Sequence, residues 1–160
     1  MGILNLTPDS FYDGGKYVDN DSALQHAAEM IAKGADIIDI GGMSSKSGAT
    51  IIPADVETLR VIPVIKAIHS AFPKALISID TIHASTAKAA VATGASIVND
   101  ISGGDYDKTM LSTVAKLGVP FIAMHMRGTP ETMQSLTHYE DVIEEIFSDF
   151  KEKLFKCKAA

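Results

Sequence analysis

Five short apolar runs, each closing on a polar residue or glycine and each followed by a helix-forming stretch, constrain this chain more than any other feature. They begin near residues 3, 37, 76, 97 and 121. Two of them, Gly94-Ala95-Ser96-Ile97-Val98-Asn99-Asp100 and Gly118-Val119-Pro120-Phe121-Ile122-Ala123-Met124, repeat one punctuation. A glycine suited to a helix C-terminus is followed by two connecting residues and then by a buried strand. Lys33-Gly34 ahead of Ala35-Asp36-Ile37-Ile38-Asp39-Ile40 has the same form, and Pro73 supplies the stop before Leu76-Ile77-Ser78-Ile79-Asp80. Buried strands joined by helices make a parallel sheet.

The helical stretches follow from spacing. Asp19-Asn20-Asp21-Ser22 offers caps, and Ala23, Leu24, Ala27, Met30 and Ile31 recur at helical period. Further helices are expected at about 54–72, 83–93 and 107–117, with Pro63 kinking or splitting the first of these. A last helix, from about Tyr139 to Lys156, carries Val142, Ile143, Ile146, Phe147, Phe150 and Leu154 on one stripe, expected to be core rather than interface. Residues 1–160 read as one domain. Two architectures accept five such units. A doubly wound sheet uses five at this length, whereas a (β/α)8 barrel needs eight and roughly 250 residues, so the count alone favours the doubly wound fold.

Composition removes several function classes. The net charge of -6 leaves no basic surface to follow a phosphate backbone, which argues against nucleic acid as a partner. It leaves room for a small anionic substrate held by local cations or a metal ion. A single cysteine, Cys157, gives no disulfide framework and no paired thiols for metal or redox work, and fits a reducing compartment. No apolar run reaches the roughly 18 residues of a membrane helix, and no signal-like segment opens the chain. The expected location is the cytoplasm.

Each run ends on polar equipment: Asn5; Asp39 with Gly41-Gly42; Asp80-Thr81; Asn99-Asp100; His125 and Arg127. Taken singly, these residues have ordinary duties as caps, turn residues or a hydrogen-bonded interior histidine. In a parallel sheet the ends share one edge, so five in succession suggest one mouth. A carboxylate accepting two adjacent N–H groups beside an amide that donates and accepts would read the edge of a flat aminopyrimidine-like heterocycle. Asp80 and Asn99 are placed for this, with Ile101 and Met124 as apolar walls. Two loops add to the mouth. The first, after Asn5, holds Thr7, Asp9, Ser10, Phe11, Tyr12, Asp13 and a Gly14-Gly15 hinge; the second, Gly41 to Gly48, holds three serines and Lys46. The second can wrap an anion, although it lacks a Walker-type spacing.

The segments Met1 to Gly15, Asp36-Ile-Ile-Asp-Ile-Gly-Gly42, Ile77-Ser-Ile-Asp-Thr81, Ile97-Val-Asn-Asp-Ile101 and Met124-His-Met-Arg-Gly128 occur in the order found in the pterin-binding family, and the chain resembles its dihydropteroate synthases. That resemblance implies a TIM-type (β/α)8 barrel, against the count, with only about the first five β/α units present. It implies a partial pterin-binding domain over residues 1–160, lacking the later barrel units and the usual N-terminal lead-in. It implies the condensation of 7,8-dihydropterin-6-ylmethyl diphosphate with p-aminobenzoate, with release of diphosphate, assisted by Mg2+ and inhibited by sulfonamides. A pterin-dependent methyltransferase shares the barrel, but its uncharged methyl donor needs no diphosphate seat. An inactive pterin-binding fragment is the third reading.

Carried over by position, the resemblance makes Asn5 the magnesium ligand and groups it with Asp80 and Asn99 as the catalytic set. Asp80 and Asn99 hold the pterin edge, Ile101 and Met124 line its slot, and Phe11, Asp13, Ser45 and Lys46 close over diphosphate and aminobenzoate. The second loop departs from the family: Ser44-Ser45-Lys46-Ser47 stands where Ser-Thr-Arg-Pro is usual. Lysine lacks the flat guanidinium, and loss of the proline loosens the loop. The resemblance further implies a homodimer for the full-length protein.

Overall fold

The computed structural model describes residues 1–7 and 20–160. Five strands, β1 (Gly2–Asn5), β2 (Ile37–Gly41), β3 (Leu76–Asp80), β4 (Ile97–Asp100) and β5 (Phe121–Ala123), alternate with helices α1 (Asn20–Ala32), α2 (Ala54–Ala71), α3 (Ala84–Thr93), α4 (Met110–Leu117) and α5 (Val142–Ala159). All neighbouring strands are parallel and lie in sequence order β1-β2-β3-β4-β5. The helices α1 to α4 pack on one face of the sheet, where Ala23, Ala27, Val61, Ile65, Ala87 and Met110 share a single core with strand residues.

This order corrects the count-based expectation. A doubly wound sheet reverses direction once and is covered by helices on both faces. Here the order never reverses and the helices described in the core lie on one side, which is how a sheet winds into a barrel. Five units of a (β/α)8 barrel are present.

The register sorts the strand residues into layers. Leu4, Ile40, Ile79, Val98 and Phe121 are in line across the sheet and face the helices. One residue further along, Asn5, Gly41, Asp80, Asn99 and Ile122 are in line on the opposite face. One residue before the helix-facing row, Ile3, Asp39, Ser78 and Ile97 form a lower row on that same opposite face. Side chains of a strand alternate faces, so one register places every member of a row together.

Local chemistry explains the boundaries. Gly118 takes the left-handed conformation, φ 65°, and its N–H closes α4 on Val114 and Ala115, as the glycine punctuation requires. Pro63 does not split α2. Its ring is exposed, and the carbonyl it leaves without a donor belongs to Leu59, which is 76% exposed and can be satisfied by water. Helix α5 departs from expectation: Ile143, Phe147 and Leu154 are 77%, 69% and 61% exposed, so this stripe is not core within these residues. Among the described helices it packs most closely on α4.

Gly42, just beyond β2, has no space for a side chain: an added Cβ would lie 2.8 Å from Val61 Cγ1 and 3.2 Å from the Glu57 carbonyl oxygen. Both neighbours are fully buried on α2. Gly42→Ala is therefore expected to lower stability by about 1–3 kcal/mol, read as a lower urea midpoint at unchanged slope; an unchanged midpoint would contradict this packing.

Candidate active site

The upper row of the helix-free face carries the candidate site. Gly41 is its centre. A Cβ there would lie 3.3 Å from Asp80 Oδ2 and 3.4 Å from Asn5 Oδ1, so the missing side chain is what lets these two polar groups reach over the same spot. Asn5 is exposed and Asp80 half-buried. Asn99 stands beside Asp80 and donates from Nδ2 to Asp39 Oδ2 in the row below, at 3.1 Å. That bond orients the amide of Asn99 from beneath.

Asp80 has no cap duty. The N-terminus of α3 is served instead by Asp107, whose Oδ2 accepts from the Ala84 N–H at 2.9 Å, while Thr81 Oγ1 accepts from the His83 N–H at 3.1 Å. The Asp80 carboxylate accepts no hydrogen bond from a described side chain. Burial pushes its pKa up to about 7, helped by the nearby carboxylates of Asp39, Glu57 and Asp100. Asp39 and Glu57 are raised as well, in each case first by burial. Asn99 and Ser78 oppose the shift at Asp39, as Thr81 does at Glu57. Asp39 Oδ1, Ser78 Oγ and Glu57 Oε1 remain buried without a well-formed hydrogen bond, although Ser78 lies beside Asp39. The floor of the site is thus an electron-rich, donor-poor surface. Such a surface favours a ligand that brings N–H groups.

Glu57 is a residue that sequence reasoning missed. It is fully buried in the first turn of α2, and its Oε2 accepts from Thr81 Oγ1 at 2.5 Å, anchoring the residue after Asp80. Nothing in Ala54-Asp-Val-Glu57 distinguishes it from an exposed first-turn acid. Arg60 was missed as well; its Nη1 donates to the Gly42 carbonyl at 2.8 Å.

Above the polar row, the segments that follow four strands meet in a small apolar cluster. Met43 from the second loop, Ile82 after β3 and Ile101 after β4 are buried together, with Met126 after β5 packed against them. Ile101 therefore sits in this cluster, whereas Met124, 42% exposed, follows the end of β5 and is not among the cluster's residues. Ser45 and Lys46 are exposed on the second loop, which is tied across the mouth by the Gly48 N–H donating to the Pro130 carbonyl at 2.8 Å. Lys46 and Arg60 share a cavity of about 390 Å3 with Thr7 and Ser47, adjoining the end of β1. Phe11 and Asp13 lie outside the described residues.

The structure does not bring His125 and Arg127 to this mouth. His125 has the opposite parity to Met124 and turns toward α5, where Nδ1 meets Asp149 Oδ2 at 2.6 Å and Nε2 meets the Tyr139 hydroxyl at 3.1 Å. The ordinary reading, a hydrogen-bonded interior histidine, holds for it. Arg127 stacks over Tyr139 and donates to the His138 carbonyl. Asp100 also points away, accepting from Ser102 and Gly104 to fold its own loop.

Comparison with known proteins bears on the fold and the family. The chain is 47% identical over all 160 residues to a dihydropteroate synthase of Clostridium beijerinckii, spanning 56% of that protein. It is 52% identical over 155 residues to the folic acid synthesis protein fol1 of Pneumocystis carinii, covering 96% of this chain and 21% of that one. Among solved structures, the Yersinia pestis dihydropteroate synthase in complex with a sulfonamide drug superposes with a TM-score of 0.90 at 40% identity, over 99% of this chain and 57% of that one. The chain thus spans a little over half the length of the Clostridium beijerinckii and Yersinia pestis proteins and about a fifth of the Pneumocystis carinii one. The family model for the pterin binding enzymes matches residues 1–160, and the chain belongs to that family.

Proposed function

We propose that residues 1–160 are a partial pterin-binding domain of a dihydropteroate synthase, carrying the pterin-reading half of its site. The observation that carries this reading is Asp80: a half-buried carboxylate without a side-chain donor among the described residues, held beside an oriented amide and facing an open mouth. The N–H pair of an aminopyrimidine edge supplies what Asp80 lacks. Accepting two N–H bonds favours its ionised form, and Asn99 completes the edge with one donor and one acceptor. Ile101 and Met124 border the ring and exclude water from it. Ser45 and Lys46, with the neighbouring Arg60, face the anionic and aminobenzoate side of the substrates. Phe11 and Asp13 are assigned there by the family resemblance.

Asn5 suits Mg2+ in one specific way. It offers a single neutral oxygen at an exposed strand end, beside Asp80 Oδ2, and the described residues hold no cluster of three or more His, Cys, Asp or Glu that would cage a metal. Magnesium keeps several waters and is often bound through one or two protein oxygens plus substrate phosphates, so one amide ligand fits a metal that arrives with a diphosphate. When bound, it would neutralise charge developing on the departing diphosphate. The chain's own contribution is to hold the pterin methylene toward that group and to keep the ring fixed while the arylamine attacks.

The relatives named above are folate-synthesis proteins, which favours this activity over a methyltransferase. The same reading gives a cytoplasmic homodimer for the full-length protein, while the 160 residues alone are inactive and self-associating, because β1 and β5 present open edges and α5 an uncovered stripe.

Two measurements follow. A full-length protein carrying this sequence is expected to release diphosphate only when both substrates and Mg2+ are supplied, and Asp80→Asn should weaken pterin binding by about 100-fold, consistent with loss of a paired charge-assisted contact. Unchanged pterin affinity would remove Asp80 from the site. Stability supplies an independent check. Because the folded pKa of Asp80 lies above its unfolded value, stability falls as pH rises from about 4 to about 7. Asp80→Asn removes that dependence, so the mutant should gain on the order of 1–4 kcal/mol relative to the parent between pH 4 and pH 8, measured by urea unfolding; a pH-independent difference would contradict the assigned environment.

A further inference from the structure

We infer that Lys153 on α5 is a positioning residue that ties the segment after β4 to the segment after β5 and so fixes the spacing of the Ile101 and Met124 walls. The inference rests on the pterin reading above for its functional consequence, and on geometry for the tie itself.

Lys153 is the one buried residue of α5, 2% exposed, on a helix whose Phe147 and Phe155 are largely in solvent. Its Nζ donates to both carboxylate oxygens of Asp149 at 2.7 Å and lies 3.2 Å from Asp105 Oδ2. From Asp149 the chain of contacts runs to His125, the residue that follows Met124. From Asp105 it returns to the loop that begins at Ile101, with Lys156 holding the other Asp105 oxygen at 2.9 Å. The lysine stem reaches this position because Gly103 has no side chain: at φ +64°, an added Cβ would fall 2.2 Å from Lys153 Cε and 3.1 Å from the Met124 carbonyl oxygen. The lysine stem and the strand end therefore both lie against the open side of Gly103.

Stability alone is a poor account of this arrangement. Burying an ammonium carries a desolvation cost, and an apolar side chain of similar length often packs as well or better. What an apolar residue cannot do is hold two carboxylates from separate segments at defined distances. Ionic ties of this kind fix geometry, and here the geometry is the separation of two candidate ligand walls.

The test uses the full-length protein carrying this sequence. Lys153→Met keeps the stem and removes the charge. Asp105→Asn cuts only the loop end of the tie, at a half-exposed side chain where folding is not in question. Lys153→Arg restores a cation. Binding of 6-hydroxymethylpterin is measured by titration, and amide hydrogen exchange is followed over residues 101–105. Lys153→Met is expected to weaken pterin binding about tenfold and Asp105→Asn about threefold. Both should speed exchange in 101–105, and Lys153→Arg should recover part of each effect. Wild-type affinity in both Lys153→Met and Asp105→Asn, or unchanged exchange in both, would overturn the tie. Absence of pterin binding by the wild type, with exchange still altered in the variants, would instead overturn the pterin reading and leave the tie standing.

Discussion

Everything in the candidate site depends on one constraint, the in-register alternation of a parallel sheet whose helices lie on one face. A residue that faces the helices must be apolar, and the next residue along the strand faces the barrel interior. Asn5, Gly41, Asp80 and Asn99 are therefore brought into line by backbone hydrogen bonding and not by any attraction among themselves. Asp80 would be repelled by the carboxylates around it were it free to move. The folding energy of the apolar layer beneath holds it in place, and the consequence is a carboxyl whose pKa sits near 7.

The site is supported from several sides. Below, Asp39 orients Asn99; behind, Glu57 holds Thr81; at the centre, Gly41 leaves the space that Asn5 and Asp80 share. Above, the apolar cluster of Met43, Ile82 and Ile101 joins segments that would otherwise be independent loops. A ligand approaching this mouth meets acceptors on the floor and apolar side chains at the rim. That combination is complementary to a flat ring with N–H groups on one edge.

Much of this was legible in the sequence because glycine and proline punctuate the chain so regularly. The strand starts read near 3, 37, 76, 97 and 121 coincide with the observed strands to within a residue. The architecture was not legible from the count, because the number of units says nothing about whether the sheet reverses; the motifs that resemble the pterin-binding family pointed to the barrel, and the strand order agrees with them. Among site residues, Asp80 and Asn99 could be read as strand-end groups. His125 could not be separated from them, since a polar residue at a strand end has no visible parity until the register is known. Glu57 and Lys153 look like ordinary surface charges in amphipathic helices, and only packing shows them buried. The stripe of α5 shows the converse: its spacing is that of a core helix, yet Ile143, Phe147 and Leu154 are exposed among these residues.

The central claim is that the strand-end row recognises a pterin edge. A crystal structure of the full-length protein with bound 6-hydroxymethylpterin tests it most directly. The account predicts the ring over Gly41, with two of its N–H groups on the Asp80 carboxylate and the Asn99 amide on the adjoining edge. A ring bound elsewhere, for example in the cleft beside Arg127 and Glu144, with Asp80 facing only water, would contradict it.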